Sequence, residues 1–366
     1  MKKRFQTYTA LTTLAFSLLL ATANADSSPN LATEQTDYSS NSMSGSAQSP
    51  ASQMQTLVPS LPCPEAWRFS GTFLYLLPTF DDTYFVIESP TSTTYPNGVR
   101  KNNDFGFEPA FRLGVEYAFC ENNREVQAFY TRFEADQSRR SSGDFLWATL
   151  GGPDFASRFE NYHGSATSKL NLLYQRLDLN FSQQIVNNKG VYFYLQPGLE
   201  LAYLRLTEHY RYHLEGATAH GSIRQRSRVA GIGPQMGIGV DYNIYQGTYS
   251  STISHALTLN ALFSGSILMG HAGVKESNEY DEDPLLTVKD EKTWRTVPAL
   301  HAKAGLNYVI LGTHVGFSLG LTYEFNTYVR GLARVIFPDD VADAENFTNY
   351  YNYDLQGLGI TAALSF

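Results

Sequence analysis

Hydrophobic and polar positions alternate along much of this chain, most regularly from His314 to Phe325, H-V-G-F-S-L-G-L-T-Y-E-F. Val315, Phe317, Leu319, Leu321, Tyr323 and Phe325 are apolar, whereas His314, Gly316, Ser318, Gly320, Thr322 and Glu324 are small, polar or charged. A period of two puts these sets on opposite faces of a β-strand. Half-buried strands of soluble domains commonly end after ~5–6 residues. This run is about as long as a tilted strand needs to cross a bilayer. It predicts a transmembrane β-barrel, with lipid on the apolar face and polar residues inside.

Further segments repeat the pattern: Trp67–Leu77, Phe107–Phe119, a weaker Glu125–Glu134, Leu173–Phe181, Val191–Tyr203, Ile232–Tyr242, Leu257–Met269, Thr296–Tyr308 and Leu358–Phe366. With the opening stretch they make about ten strands, within a range of 8–14, in an all-β antiparallel up-and-down barrel. Short connections such as Glu121–Arg124, Ile185–Gly190 and Ile310–Thr313 carry Asn, Gly or Lys, as tight turns do. Long ones are expected at about 78–106, 137–167, 209–225, 271–293 and 331–352, with a further longer turn at Ile244–Ser254. Sorting short turns to one end and long loops to the other is an outer-membrane barrel arrangement. Outward aromatics fall near strand ends: Phe119, Phe181, Phe193, Tyr242 and Tyr308 at the short turns, and Tyr75, Phe107, Tyr203, Tyr323 and Phe325 opposite. Amphipathic rings at both headgroup levels form such girdles.

Composition agrees with this class. Charged residues are 17% and aromatics 14% of the 366 residues, and mean hydropathy is only −0.27. A barrel apolar on one face gives that combination, whereas bundled membrane helices would be far more hydrophobic. A net charge of −8 argues against nucleic acid as a partner. Residues 1–25 have the layout of a secretory signal: Lys2, Lys3 and Arg4, the apolar run Ala10–Ala21, then Ala23-Asn24-Ala25 as a cleavage site. Residues 26–62, rich in Ser, Thr, Gln and Pro, read as a disordered periplasmic linker, leaving 63–366 for the barrel. Phe366 closes the last amphipathic strand on the same face as Ile360, Ala362 and Leu364. That placement suits an assembly signal read by barrel-insertion machinery.

Little in the chain points to catalysis. H-E-x-x-H, P-loop and metal-spaced cysteine patterns are absent from the sequence, and the one G-x-S-x-G match, Gly316–Gly320, lies within the alternating strand pattern rather than at a strand-to-helix turn, so a non-enzyme without metal or cofactor is expected. His209, Arg211 and His213 share one strand face, more in keeping with a solvated rim than with a defined catalytic partner. The run Glu276–Asp283, E-S-N-E-Y-D-E-D, is acidic enough to attract a hard cation but lacks the Gly-spaced loop of a dedicated Ca²⁺ site. The inward charges are the stronger candidates. Arg68, Glu108, Arg112, Glu116, Arg176, Asp178, Glu200, Asp241, Arg295, Lys303 and Glu324 all take the inward parity and would line a pore. Inward glycines at 233, 237, 239, 305, 316, 320, 357 and 359 would clear one side of the lumen, or else mark bending and tight packing. About ten strands enclose a narrow lumen at most.

With these segments in place, the chain resembles the Legionella-type pore-forming major outer-membrane proteins, themselves similar in style to chlamydial porins. The resemblance is carried by W-R-F-S-G-T-F-L-Y at 67–75, F-G-F-E-P-A-F-R-L-G-V-E-Y at 105–117, Y-T-R-F at 130–133, L-L-Y-Q-R-L-D-L at 172–179, L-Q-P-G-L at 195–199, Gly231–Gly239 and the ending Leu355–Phe366. The family implies a cell-surface barrel in the bacterial outer membrane that passes small hydrophilic solutes or ions. Its partners would be outer-membrane lipid and lipopolysaccharide, with homo-oligomers an option. The competing expectation is a structural or adhesive barrel with a filled lumen whose loops bind host or matrix partners. Cys63 and Cys120 fall at the periplasmic ends of the first two strands, where an intramolecular disulfide could join them. Intermolecular bridges and free thiols stay open.

Overall fold

The protein is described by a computed structural model over residues 66–80, 83–119, 123–188, 190–218, 220–250, 253–289, 293–337 and 346–366. The leader 1–25, the linker 26–62, Cys63 and Cys120 lie outside these residues. In chain order the strands are β1 (Ala66–Phe80), β2 (Tyr84–Glu88), β3 (Val99–Asn102), β4 (Glu108–Phe119), β5 (Arg124–Ala148), β6 (Tyr162–Asn188) and β7 (Val191–Leu214). They continue as β8 (His220–Ser250), β9 (Ile253–Tyr280), β10 (Asp283–Lys289), β11 (Thr293–Leu311), β12 (Gly316–Ile336) and β13 (Phe347–Ser365). A short helix, α1 (Pro153–Arg158), stands between β5 and β6.

Pairing runs β4-β5-β6-β7-β8-β9-β11-β12-β13-β1 and back to β4, all antiparallel, so ten strands close a ring. Lipid forces the closure, because a backbone N–H or C=O left unpaired in hydrocarbon costs several kcal/mol. The seam joins the two ends of the chain. Arg68 faces Ser365, and Trp67 and Phe366 exchange both backbone hydrogen bonds at 3.0 Å. The outward parity holds throughout: Phe73, Leu113, Met236, Phe263, Leu319 and Ile360 all stand exposed on the outer wall. Phe107, Tyr75 and Tyr323 lie toward one edge of this apolar band, and Phe119, Phe181, Tyr242 and Tyr308 toward the other, all on the outer surface.

The strands are much longer than the apolar pattern indicates. β5 runs on from Glu134 to Ala148, β6 begins at Tyr162 rather than Leu173, and β7 reaches Leu214. β8 and β9 contain 31 and 28 residues. The expected loops at 137–167, 209–225 and 271–293 are therefore largely wall, and so is the supposed turn at Ile244–Ser254. The reason is that period two persists while the outer face changes character. Above Tyr130 on β5 the outward residues become Arg132, Glu134 and Asp136, and above Tyr203 on β7 they become Arg205, Thr207 and His209. Thirty-one residues span roughly 100 Å when extended, against a hydrocarbon core of ~30 Å. The wall stands well clear of the membrane.

Deleting Phe366 removes two seam hydrogen bonds and the stacked Phe69–Phe366 pair, whose rings lie 5.6 Å apart. Lost closure should cost about 1–3 kcal/mol and lower the yield of heat-modifiable barrel on gels. Unchanged yield would make the terminal ring dispensable.

Candidate functional site

The lumen divides into a wet inner half and a dry outer half. Toward the chain ends, Arg68, Gln127, Asp241, Asn260, Lys303 and Asn307 face inward and keep partial solvent exposure. Arg68 Nη1 donates to Glu116 Oε2 at 3.1 Å. Arg112 makes a two-pronged pair with Glu324, at 2.8 and 3.0 Å, and its Nε donates to Thr131 at 2.8 Å. Such paired bonds fix geometry as well as charge.

Deeper in, polar and charged groups from five strands meet. Glu200 on β7 accepts from Tyr328 of β12 at 2.7 Å and from Ser266 of β9 at 2.6 Å, and contacts His301 of β11 at 2.8 Å. Arg176 of β6 lies 3.5 Å from Glu200, donates to Asp178 at 2.7 Å and reaches Asn326 at 3.2 Å. Glu200 itself has no exposure. Removing one member of such a buried group strands its partner's charge, at a cost of about 3–5 kcal/mol. The group spans the lumen and pins opposite walls together.

Directly above it the interior is apolar. Leu74, Leu76, Leu172, Leu204, Tyr174 and Tyr353 are nearly or wholly inaccessible and belong to one contiguous core. Tyr174 and Tyr328 touch through their hydroxyls at 3.1 Å across the barrel. Three insertions seal the outer end. The β2–β3 hairpin buries Phe85, whose carbonyl accepts from Tyr212 at 2.7 Å. Around α1, Phe155 and Phe159 pack on Tyr212. β12 bends at Arg330, whose φ is 54°, and its ladder with β13 shifts register between Tyr328 and Leu332. Past that bulge Leu332, Ala333, Arg334 and Val335 are all buried, both faces covered. Arg334 meets Glu208 at 2.5 Å and Tyr210 at 3.2 Å.

The inward parity expected from the sequence holds for the candidate charges, but most of them pair rather than line a passage. Arg68 with Glu116, Arg112 with Glu324, and Arg176 with Asp178 and Glu200 are ion pairs. Arg295 sits with its guanidinium carbon 3.5 Å from the Tyr350 ring centroid. Glu108, Asp241 and Lys303 form no ion pair within 4.0 Å among the described residues. Nor do the glycines clear space. A Cβ on Gly239 would meet the Tyr194 ring at 2.0 Å, and one on Gly357 the Tyr75 carbonyl at 2.0 Å. They admit a bulky neighbour and a close backbone approach.

Sequence reasoning missed Tyr328, Asn326, Glu208 and Arg334. Tyr328 continues the inward series Glu324, Asn326, so period two reaches it; the β12 bulge hides Arg334. His209, Arg211 and His213 do share a face, directed outward from the wall. The acidic run at 276–283 is mostly strand: Glu276 to Tyr280 end β9 with Glu276 pointing inward, Asp281 and Glu282 make a tight turn, and Asp283 opens β10. Among the described residues no group of His, Cys, Asp or Glu could hold a metal ion.

Glu276 lies beyond the apolar band, since the outward residues above Met269 are His271, Lys275, Ser277 and Glu279. Burial holds its carboxyl up at about 8, against the lowering effect of Asn278 and Arg334. Gln225 donates to it at 2.9 Å. Between the ordinary carboxyl range and pH 8 the folded protein thus keeps a proton that the unfolded chain has lost. Stability should fall as pH rises from about 4.5 to about 8 and level off above. Glu276→Gln should flatten that slope in denaturant midpoints measured across the range. An unchanged slope would mean that another group carries it.

Several solved outer-membrane proteins match the structure weakly. The outer membrane protease OmpT of Escherichia coli matches at 10% identity, covering 85% of this chain and 99% of its own, with a TM-score of 0.35. A TodX variant, a monoaromatic hydrocarbon channel, matches at 10% identity over 84% and 92%, TM-score 0.30. A Pseudomonas aeruginosa FadL homologue matches at 7% over 82% and 90%, TM-score 0.23. None of the curated proteins matches the sequence. The model of one family, the Legionella pneumophila major outer membrane protein precursor, matches residues 58–366. This ten-stranded outer-membrane barrel therefore belongs to the Legionella major outer membrane protein family.

Proposed function

We propose that the protein serves as a surface barrel with a closed lumen, anchored in the outer membrane and presenting a tall strand-built rim to partners outside the cell. The observation that carries this reading is the dry core of Leu74, Leu172, Tyr174, Leu204, Tyr328 and Tyr353 spanning the barrel interior. Side chains packed across the lumen pass no hydrated ion. The rim would bind host or matrix components, Phe366 would engage the barrel-assembly machinery, and no catalytic step is needed.

A second reading has an observation of its own. The inner half is polar and partly accessible around Arg68, Asp241, Lys303 and Asn307. If the core shifted, this vestibule would extend into a pore for small hydrophilic solutes or ions, whose field Arg112 and Arg176 would set.

Planar-bilayer recording separates the two. Wild-type barrels should give no steady conductance, whereas combined Tyr174→Ala, Tyr328→Ala and Tyr353→Ala should open measurable channels. Steady wild-type channels whose selectivity moves towards cations in Arg112→Glu would overturn the closed-lumen reading and favour the pore.

A further inference from the structure

The outer wall above the apolar band is strongly cationic on one side. Lys169 of β6, Arg205 of β7, Arg224, Arg226 and Arg228 of β8, and Lys275 of β9 all project outward there. Arg228 follows directly above Ala230 and Ile232 on the same face, and Arg205 above Tyr203 and Leu201. The stripe thus begins where the lipid-facing surface ends. His209 and Arg211 extend it, with Arg211 Nε and His209 Nε2 3.4 Å apart. Partial burial and the charges of Arg211, Arg224 and Lys169 lower the pKa of His209.

This clustering works against the fold by itself. Arg205 faces Arg228 across the β7–β8 ladder, and Arg226 faces Lys275 across β8–β9. Like charges directly opposite are destabilising. Among the described residues none of the six makes an ion pair within 4.0 Å, whereas Arg132 pairs with Glu134 and Lys101 with Glu88 elsewhere on the protein. The Nε of Arg205 is buried with no hydrogen-bond partner. The nearby carboxylates are engaged by neutral donors: Glu279 accepts from Ser222 at 3.3 Å and Asp136 from Asn171 at 2.7 Å. An open hollow of ≈ 430 Å³ beside the stripe is lined in part by Lys169, Asn171, Thr207 and His209. The whole chain carries −8, so the concentration of positive charge is local.

We propose that this stripe is a binding site for the headgroup phosphates of an outer-leaflet lipid, with the acyl chains lying along Ile232, Met236 and Leu199 below. Guanidinium forks match phosphate oxygens and are weakly enough hydrated to bind at a membrane interface. Each basic side chain near a charged lipid surface adds attraction. Two phosphates on one headgroup could bridge Arg205–Arg228 and Arg226–Lys275, relieving both repulsive pairs together. The site is independent of whether the lumen conducts.

The test uses the full-length barrel folded in neutral detergent and titrated with a bisphosphorylated glycolipid or its dephosphorylated form. The wild type should prefer the phosphorylated lipid by about 10-fold or more, since charge-assisted bonds are the strong ones. Combined Arg224→Gln, Arg226→Gln and Arg228→Gln should abolish the preference while heat-modifiability is kept. Arg132→Gln, on β5, should retain it. Should the triple variant fail to fold, Arg226→Gln alone should show a partial loss. Equal binding of the two lipids, or a preference kept in the arginine variants, would overturn the assignment. So would displacement by inorganic phosphate alone at equal concentration, which marks a simple anion site. Capture of an acidic peptide with no lipid preference would assign the stripe to a protein partner instead.

Discussion

The hydrogen-bonding needs of a backbone in hydrocarbon constrain everything else in this molecule. No water is present there to satisfy an N–H or C=O, so a sheet that crosses must close on itself. The Trp67–Phe366 exchange completes that closure between the two ends of the barrel domain. Once the ring is shut, period-two alternation divides the side chains into a lipid set and a lumen set with no further choice. The same pairing rule operates in water, so the ladders of β5 to β9 continue past the membrane although their outer faces turn polar.

The lumen set then has to be accommodated in the narrow interior of a ten-stranded ring. Charges buried there are tolerable only when paired and hydrogen-bonded. Arg112 with Glu324 and the Arg176–Asp178–Glu200–His301 group meet that requirement by reaching across the barrel. Apolar positions in the outer half merge into a core of soluble-protein character, sealed by the β2–β3 hairpin, α1 and the inturned end of β12. A membrane barrel and a globular core are thereby stacked along one axis. The outward charges of β6 to β9 mark the boundary between them on the lipid side.

Much of this was legible in the sequence because parity is a local property. The ten strands, their lipid faces and the inward direction of Arg112, Glu200 and Glu324 follow from reading alternate letters. What was not legible depends on distance or on a change of solvent. Arg112 and Glu324 are separated by 212 positions, and nothing in either neighbourhood names the other. The strand extensions look like loops in the sequence because their outward residues turn polar, although the inward series Leu268, Gly270, Ala272, Val274, Glu276 continues unbroken on β9. The bulge at Arg330, which turns β12 into the lumen, is marked in the sequence only by the neighbouring Gly331, and a single glycine does not say which way a strand will turn.

A closed lumen requires an outer half that water does not enter, stacked on an inner half that it does. Cysteine accessibility tests it most directly, in a Cys63→Ser, Cys120→Ser background with a small water-soluble thiol reagent. Leu172→Cys and Leu204→Cys should stay unreacted in the folded barrel, while Asn307→Cys reacts and every site labels after unfolding. Labelling of Leu172→Cys or Leu204→Cys at the rate of Asn307→Cys would contradict the closed lumen.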